Sequence, residues 1–545
     1  MITKFGVKNY KRFQDTSIVP FSDITILVGS NSSGKSSFIK ALILFLDNIV
    51  NRGYSFFLDK ERLFFDFHAV SCENINLGTF TRAINDKSKE DTIILSAKFK
   101  EKECHRSIRF EIKRYDFDET LGYLSRVIIH EIIKDGETFY DFDINTRNVS
   151  ISIPYKKIIE SYASYGKLRR DKIAHGKAIW EDLAYDKLPS DIRHDAEQEL
   201  AFLKNYEESI NKKGIQPIVE LDEHLNGSMI FEFPEVIFTI EKGYAIVTVP
   251  FTIPDRNDLI ASLLAGILHA RDDMNFTIRD IGNTQFVRTD IIESFLTNNT
   301  KELRSFNEKA LPHIEYIYAH SISKKVFFSM DDRNDFIART LHEAYQTRAL
   351  RHNETQDFIR HWLKEFKIGD KIEISRIEGE GYSVKVIDKD GRFKNLADIG
   401  TGSAQIVLLL LKVAIILSTR QTEAVLLVIE EPEQNMHPNY QSLLADLFFA
   451  MQQKGIKLLV ETHSEYLIRR SQVIVAKLCS EMHYTQEELD KKNPFRVIYF
   501  PESGQPYDMH YKVNGDFEHL FGEGFFDAAA KNRVELYKMQ LEQNK

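Results

Sequence analysis

Long stretches of the first 154 residues alternate between apolar and polar positions. Residues 2–7 do so roughly, as do 92–100, 106–115, 125–133 and 149–153. A period of two belongs to a half-buried strand, and polar turns such as Lys134-Asp135-Gly136 separate the runs, so the pattern predicts a meander of antiparallel strands. Residues 24–28 form a mostly apolar run instead, the pattern of a buried strand, and residues 38–44 have the composition of a buried helix within a helix over 35–50. From 155 to about 370 the chain is rich in charge and helical periodicity. Helices are predicted over 258–273, 288–297 and 335–366, with a hairpin at 235–240 and 244–249 around Lys242-Gly243. After residue 371 strands return at 372–377, 382–388, 425–429, 457–460 and 496–500. An apolar helix is predicted over 406–417. Another begins near Pro438 and carries Tyr440, Leu443, Leu444, Leu447, Phe448 and Met451 on one stripe, which is core packing. A terminal helical segment is expected from Asp516. The chain thus divides into 1–154, a mainly helical insertion at 155–370, and 371–545.

Between the apolar run at 24–28 and the helix lies Gly29-Ser30-Asn31-Ser32-Ser33-Gly34-Lys35-Ser36-Ser37, with glycine, glycine, lysine and serine at 29, 34, 35 and 36. Glycines let successive backbone N–H groups curl around an anion, and the helix N-terminus adds partial positive charge. Lys35 is placed to reach the β- and γ-phosphates, and the Ser36 hydroxyl to ligate Mg²⁺. Strand, glycine-rich turn and helix together define a nucleoside triphosphate site.

Three later segments carry matching chemistry. Gly400-Thr401-Gly402-Ser403 opens the apolar helix and is a second anion-seeking turn, a weak signal alone because a helix N-cap needs similar residues. The strand at 425–429 ends in Glu430-Glu431, where α/β sheets place their ligands. One carboxylate there suits Mg²⁺, and its neighbour suits the attacking water. The strand at 457–460 ends in Glu461-Thr462-His463-Ser464, which puts His463 in reach of a γ-phosphate or the water. The pairs Asp116/Asp118 and Asp141/Asp143 read as exposed strand positions. A basic cluster at 156–177 with Tyr155, Tyr162 and Tyr165 suits either a nucleic-acid backbone or a solvated helical face.

Composition narrows the classes. The 545 residues are 43% apolar, enough for two or more domains with ordinary cores. A net charge of −9 does not suggest coating of nucleic acid through bulk charge and leaves a local basic patch open. Cys72, Cys104 and Cys479 are far apart, so neither a disulfide framework nor a zinc site is indicated. No stretch approaches the roughly 18 uninterrupted apolar residues of a membrane span, and no signal pattern opens the chain. A cytoplasmic protein is expected.

Together these segments resemble the ABC-type ATPases of the SMC and RecF kind. Residues 29–36 look like a Walker A motif, 425–438 like a Walker B followed by its D-loop, 398–405 like a variant signature motif, and 461–464 like the switch-histidine segment. Asn9-Tyr10-Lys11-Arg12-Phe13 resembles the family's N-terminal turn, in which Lys11 matches a nucleotide-contacting arginine. The resemblance implies an ATPase head, a mixed sheet with a P-loop core and an antiparallel β lobe, interrupted by the insertion. It implies ATP and Mg²⁺ as cofactors, Glu431 and His463 in catalysis, and Ser36 and Glu430 at the metal. Residues 29, 31–37 and Lys11 would bind nucleotide, and Gly400, Gly402 and Ser403 would meet the γ-phosphate of a partner subunit in a head-to-tail dimer. No glutamine occurs between residue 37 and residue 155, so the family's Q-loop ligand has no equivalent there.

Within that class, Glu430-Glu431-Pro432-Glu433 followed by His437-Pro438, and residues 461–467, most resemble the Septu-type antiphage ATPase. That family is found with an HNH nuclease and in some retron systems with a reverse transcriptase and its DNA–RNA. A DNA-repair ATPase that binds DNA without a nuclease is the alternative. Nothing after His463 reads as the acidic pair of a built-in Toprim nuclease.

Overall fold

The computed structural model describes residues 1–50, 63–154 and 312–522 apart from a few loop positions, strand segments within 227–250, and a few residues within 532–539. The basic cluster at 156–177 and the helices predicted over 258–273 and 288–297 lie outside the described residues.

The central sheet runs in the order His313–Ile317, Val425–Glu430, Lys457–Glu461, Ile24–Gly29, Phe495–Phe500, Tyr507–Asp508. Its first five strands are parallel and the last is antiparallel. Every residue of Ile24–Gly29 and Val425–Glu430 is buried, because both faces of the sheet are covered. Within those continuous apolar runs the strand period of two still sorts the side chains. Leu27, Leu426, Val428, Leu459 and Ile498 enter one core with the helix Lys35–Val50 and the β lobe. Ile26, Val28, Leu427, Ile429 and Val460 enter a second core with the helix Thr401–Thr419. Both helices are apolar on nearly all sides, as sandwiched helices must be. Thr401–Thr419 is long and apolar enough by composition to cross a membrane, yet 72% of the relevant stretch is buried within the protein.

The β lobe is the predicted antiparallel meander. Thr92–Glu101, Cys104–Tyr115, Asp118–Ile133, Gly136–Asp143 and Asn148–Pro154 pair in sequence, and Ile2–Tyr10 joins at Thr92–Glu101. The lobe packs against the P-loop helix through aromatic contacts, with Phe45 and Phe110 ring centroids 4.6 Å apart.

Two segments within 155–370 take places that the pattern alone does not give. The predicted hairpin forms as Ile237–Glu241 and Tyr244–Pro250, and Tyr244–Pro250 extends the lobe's sheet by pairing with Asn148–Pro154. His313–Ile317 is the edge strand of the central sheet. The single helix predicted over 335–366 is two, Phe336–Gln346 and Asn353–Glu365, separated by a turn in which Arg348 has φ +53°. Asp335 caps the first by accepting from the Ile337 and Ala338 N–H groups. Both helices pack on Thr401–Thr419.

Candidate nucleotide site

The P-loop strand feeds residues 29–34 into the helix Lys35–Val50, and the turn closes on itself with the Ser33 N–H donating to the Ser30 carbonyl at 3.2 Å. Gly34 has φ +94°, and a Cβ there would stand 2.4 Å from Phe13 Cζ and 2.8 Å from Arg12 Cδ. Only glycine fits that position. Lys35 is buried and folds back over the loop, its Nζ donating to the Gly29 and Ser30 carbonyls at 3.0 Å each. Asn31 and Ser32 are exposed, Ser33 is buried, and Ser36 and Ser37 are half-buried at the helix start.

Strand order brings the acidic residues here. Lys457–Glu461 lies between the P-loop strand and Val425–Glu430, with Glu461 in register beside both Glu430 and Leu27. By parity Glu430 follows Leu426 and Val428, and Glu461 follows Leu459, so both carboxylates face the P-loop helix. Glu461 Oε1 accepts from Ser36 Oγ at 2.9 Å and lies 3.7 Å from Lys35 Nζ. Its other oxygen, Oε2, is buried without a hydrogen-bond partner. Burial and the Glu430 charge push the Glu461 carboxyl up to about 7, against the opposing pull of Lys35 and Ser36. Glu430 is 8% exposed and is hydrogen-bonded to the Tyr316 phenol from the neighbouring edge strand.

Glu431 leaves the strand in the left-handed region, φ +47°, a costly conformation for a non-glycine residue. Its N–H donates to the Glu461 carbonyl at 2.8 Å and its carbonyl accepts from Gln405 Nε2 at 3.3 Å. The side-chain carboxylate accepts from Gln434 Nε2 and stands 3.8 Å from His463 Nε2. Glu433 holds the next turn by accepting from the His463 N–H at 2.6 Å. Burial, then the Lys35 charge, pushes the His463 imidazole below its ordinary value, against the opposing pull of Glu431. Ligand atoms of Glu431, Glu461 and His463 lie within 4.8 Å of one another, close enough to hold one metal ion.

The sequence-selected residues fall into two groups. Residues 29–37, Glu430, Glu431 and His463 converge at the carboxyl ends of three adjacent strands. Gly400, Gly402 and Ser403 instead occupy the N-terminus of Thr401–Thr419, beside the loop after Glu431. A Cβ at Gly402 would come within 2.7 Å of the Asn435 carbonyl, so the close approach of helix and loop requires glycine. Gly400 is exposed and Ser403 half-buried.

Lys11 lies with its charge near Lys40, Arg82 and Asp86, while its N–H bonds the Ala83 carbonyl. The neighbouring Arg12 is the basic side chain on the P-loop. Its guanidinium donates to the carbonyls of Ser32 and Pro501 at 3.1 Å each, and to that of Glu502, tying the phosphate turn to the end of Phe495–Phe500. Arg12, Glu433, Gln434 and Glu461 carry no role in the sequence reading. Glu461 had a usable signal, a carboxylate at the end of a buried strand; the others are set by turns whose direction the local pattern does not encode.

Asp141 is ion-paired with Arg126, and Asp143 accepts from the Asn145 and Thr146 N–H groups in a turn, so each has a local structural occupation.

A buried cation over carbonyls, a helix start whose serine hydroxyl meets a buried carboxylate, and paired carboxylates at neighbouring strand ends are the features of a P-loop ATPase. Residues 1–468 match the family described as AAA ATPase domain, and the chain belongs to that family. No curated protein matches it. Among solved structures, it is similar to the SMC head domain from Thermotoga maritima, at 10% identity and TM-score 0.32, covering 93% of this chain and 99% of that one. It is also similar to the Smc head domain with a coiled coil and joint derived from Pyrococcus yayanosii, at 11% identity and TM-score 0.34, covering 94% and 98%. An Smc head domain derived from Pyrococcus furiosus, bound to the C-terminal domain of ScpA, matches at 12% identity and TM-score 0.29, covering 98% and 99%.

Proposed function

We propose that this chain is an ATP-hydrolysing switch that pairs head to tail with a second copy and gates a separate nuclease in bacterial antiphage defence. The observation that carries the hydrolytic part is the convergence of Lys35, Ser36, Glu430, Glu431 and His463 at the ends of three adjacent strands. The residues fit ATP with Mg²⁺: the loop is built for an anion, and Glu461 Oε2 is a buried carboxylate oxygen without a partner. When bound, ATP·Mg²⁺ supplies the electrophilic phosphorus and the cation that offsets phosphate charge. The N–H groups of residues 29–37 and the Lys35 ammonium would hold the phosphates, and Ser36 and Glu430 would hold the metal. Glu431 orients the attacking water and accepts its proton, with Gln434 fixing the carboxylate. His463, 3.8 Å from Glu431, steadies the same water or a γ-phosphate oxygen.

The dimer reading rests on the helix end at residues 400–403. Its N–H groups and the Ser403 hydroxyl suit a phosphate, and a second copy is the natural source of one. The defence reading rests on the likeness of residues 430–438 and 461–467 to Septu-type ATPases, for which an HNH-type nuclease is the partner, with a retron reverse transcriptase and its DNA–RNA as a further one.

The test combines turnover and assembly. The purified chain should hydrolyse ATP, and Glu431→Gln should accumulate an ATP-bound dimer visible by light scattering. Failure to bind ATP would overturn the whole reading. Nucleic-acid cleavage that requires both this chain and an HNH nuclease encoded beside it supports gating; tight binding to DNA ends with no such dependence would favour a repair ATPase instead.

A further inference from the structure

Glu461 opens the switch-histidine segment but has no role of its own in the reaction described above. It is the residue of this site with the least room to be incidental. It is 3% exposed, it sits on the strand between the P-loop strand and the Glu430 strand, and it is in register with Glu430 on the same face. One oxygen already accepts from the Ser36 hydroxyl at 2.9 Å, and the other is buried and unpartnered.

Two carboxylates in register in a water-poor site repel, and each buried charge needs a counter-charge. Lys35, at 3.7 Å, is the counter-charge Glu461 has here. Phosphate binding at the P-loop draws on the same ammonium. With Lys35 engaged by nucleotide, Glu430 and Glu461 are left side by side, and a divalent cation is the group that satisfies both. A glutamine at 461 would keep the hydrogen bond to Ser36 and lose that capacity.

We infer that Glu461 is a protein ligand of the divalent cation that accompanies the nucleotide, completing with Ser36 and Glu430 an oxygen donor set of the kind Mg²⁺ prefers. Its contacts with Ser36 and Lys35 keep both side chains at the strand ends where cation and phosphates would meet them. The inference rests on the ATPase reading proposed above.

The experiment uses the full chain with Mn²⁺ as the probe and a non-hydrolysable ATP analogue. Electron paramagnetic resonance titration gives the Mn²⁺ affinity, and analogue affinity is measured with Mn²⁺ and in EDTA. In Glu461→Gln the Mn²⁺ affinity should fall about 10–100-fold, the scale for disturbing a metal site, and the gain in analogue affinity on adding Mn²⁺ should shrink correspondingly. Mn²⁺ affinity within about three-fold of wild type in a folded Glu461→Gln protein would overturn the inference. Should that variant not fold, Glu461→Asp carries the test: pulling the carboxylate back by one methylene should still weaken Mn²⁺ several-fold, and no change overturns the inference. Wild-type protein that binds no analogue in EDTA or with Mn²⁺ would remove the ATPase reading itself, and this one with it. Wild-type binding with an indifferent Glu461 removes only this one.

Discussion

Lys35 and Glu431 are held in ways that make their substitutions informative. Lys35 Nζ is satisfied by loop carbonyls and lies against Glu461, so Lys35→Ala removes the cation proposed to meet the phosphates and leaves a buried carboxylate without its ion pair. Nucleotide titration should show ATP binding weakened, and unchanged affinity and turnover would sink the P-loop assignment. Glu431→Gln keeps the shape of the side chain and removes the carboxylate proposed to accept the water's proton. ATP binding should persist while turnover falls roughly 10²–10⁴-fold, the scale of a general base. Glu430→Gln should instead shift the Mg²⁺ dependence. If Glu430→Gln abolishes turnover and Glu431→Gln does not, the two roles are reversed. Arg12 offers a different contrast, because its contacts are to carbonyls on two separate segments.

At the scale of elements, a buried charge cluster ties three of them together. Lys412, on the apolar helix Thr401–Thr419, donates to Glu315 of the edge strand at 3.1 Å and to Glu343 of Phe336–Gln346 at 3.2 Å. His313 Nε2 lies 3.0 Å from the other Glu315 oxygen. Burial alone would raise the Glu315 carboxyl, but the hydrogen bond with His313 and the Lys412 charge outweigh it and bring it down to about 2. A depressed carboxyl stabilises the fold above its ordinary value of 4.5, and that contribution is lost as pH falls from there through about 2. Acid unfolding curves of Glu315→Gln should therefore be flatter across that window than those of wild type. Lys412→Met should cost about 3–5 kcal/mol in urea unfolding, because it leaves the Glu315 charge buried without its cation. A cost below about 1 kcal/mol would mean that water reaches Glu315.

For the whole molecule, the placement of acidic groups bears on nuclease activity. Among the described residues, the cluster geometrically able to hold a metal is Glu431, Glu461 and His463, beside the P-loop, while Asp141 is engaged by Arg126. The purified chain should hydrolyse ATP and leave labelled single- and double-stranded DNA and RNA intact with Mg²⁺ or Mn²⁺ unless a partner is added. Cleavage that survives purification and disappears on mutating Asp141 and Asp143 would place a nuclease in the β lobe.

What the sequence determined by itself is local. The spacing of Gly29, Gly34, Lys35 and Ser36 between an apolar run and a helix was enough to locate the strand, glycine-rich turn and helix, because that pattern is confined to a few consecutive residues. The period of two along the first 154 residues likewise read out the meander, since adjacent strands pair with their sequence neighbours. The tertiary structure decided which strand ends meet. Ser36 and Glu461 are 425 residues apart and touch because Lys457–Glu461 lies between the P-loop strand and the Glu430 strand. Parallel order is set by helices crossing between strands, and no periodicity within a strand records its neighbours. The same reason hid the place of His313–Ile317, a short run within a charged region whose membership depends on pairing with Val425–Glu430. The turn around Asn9 and Lys11, both in the left-handed region, aims Arg12 at the loop. Side-chain direction after such a turn follows backbone torsions fixed by packing, and composition alone does not specify them.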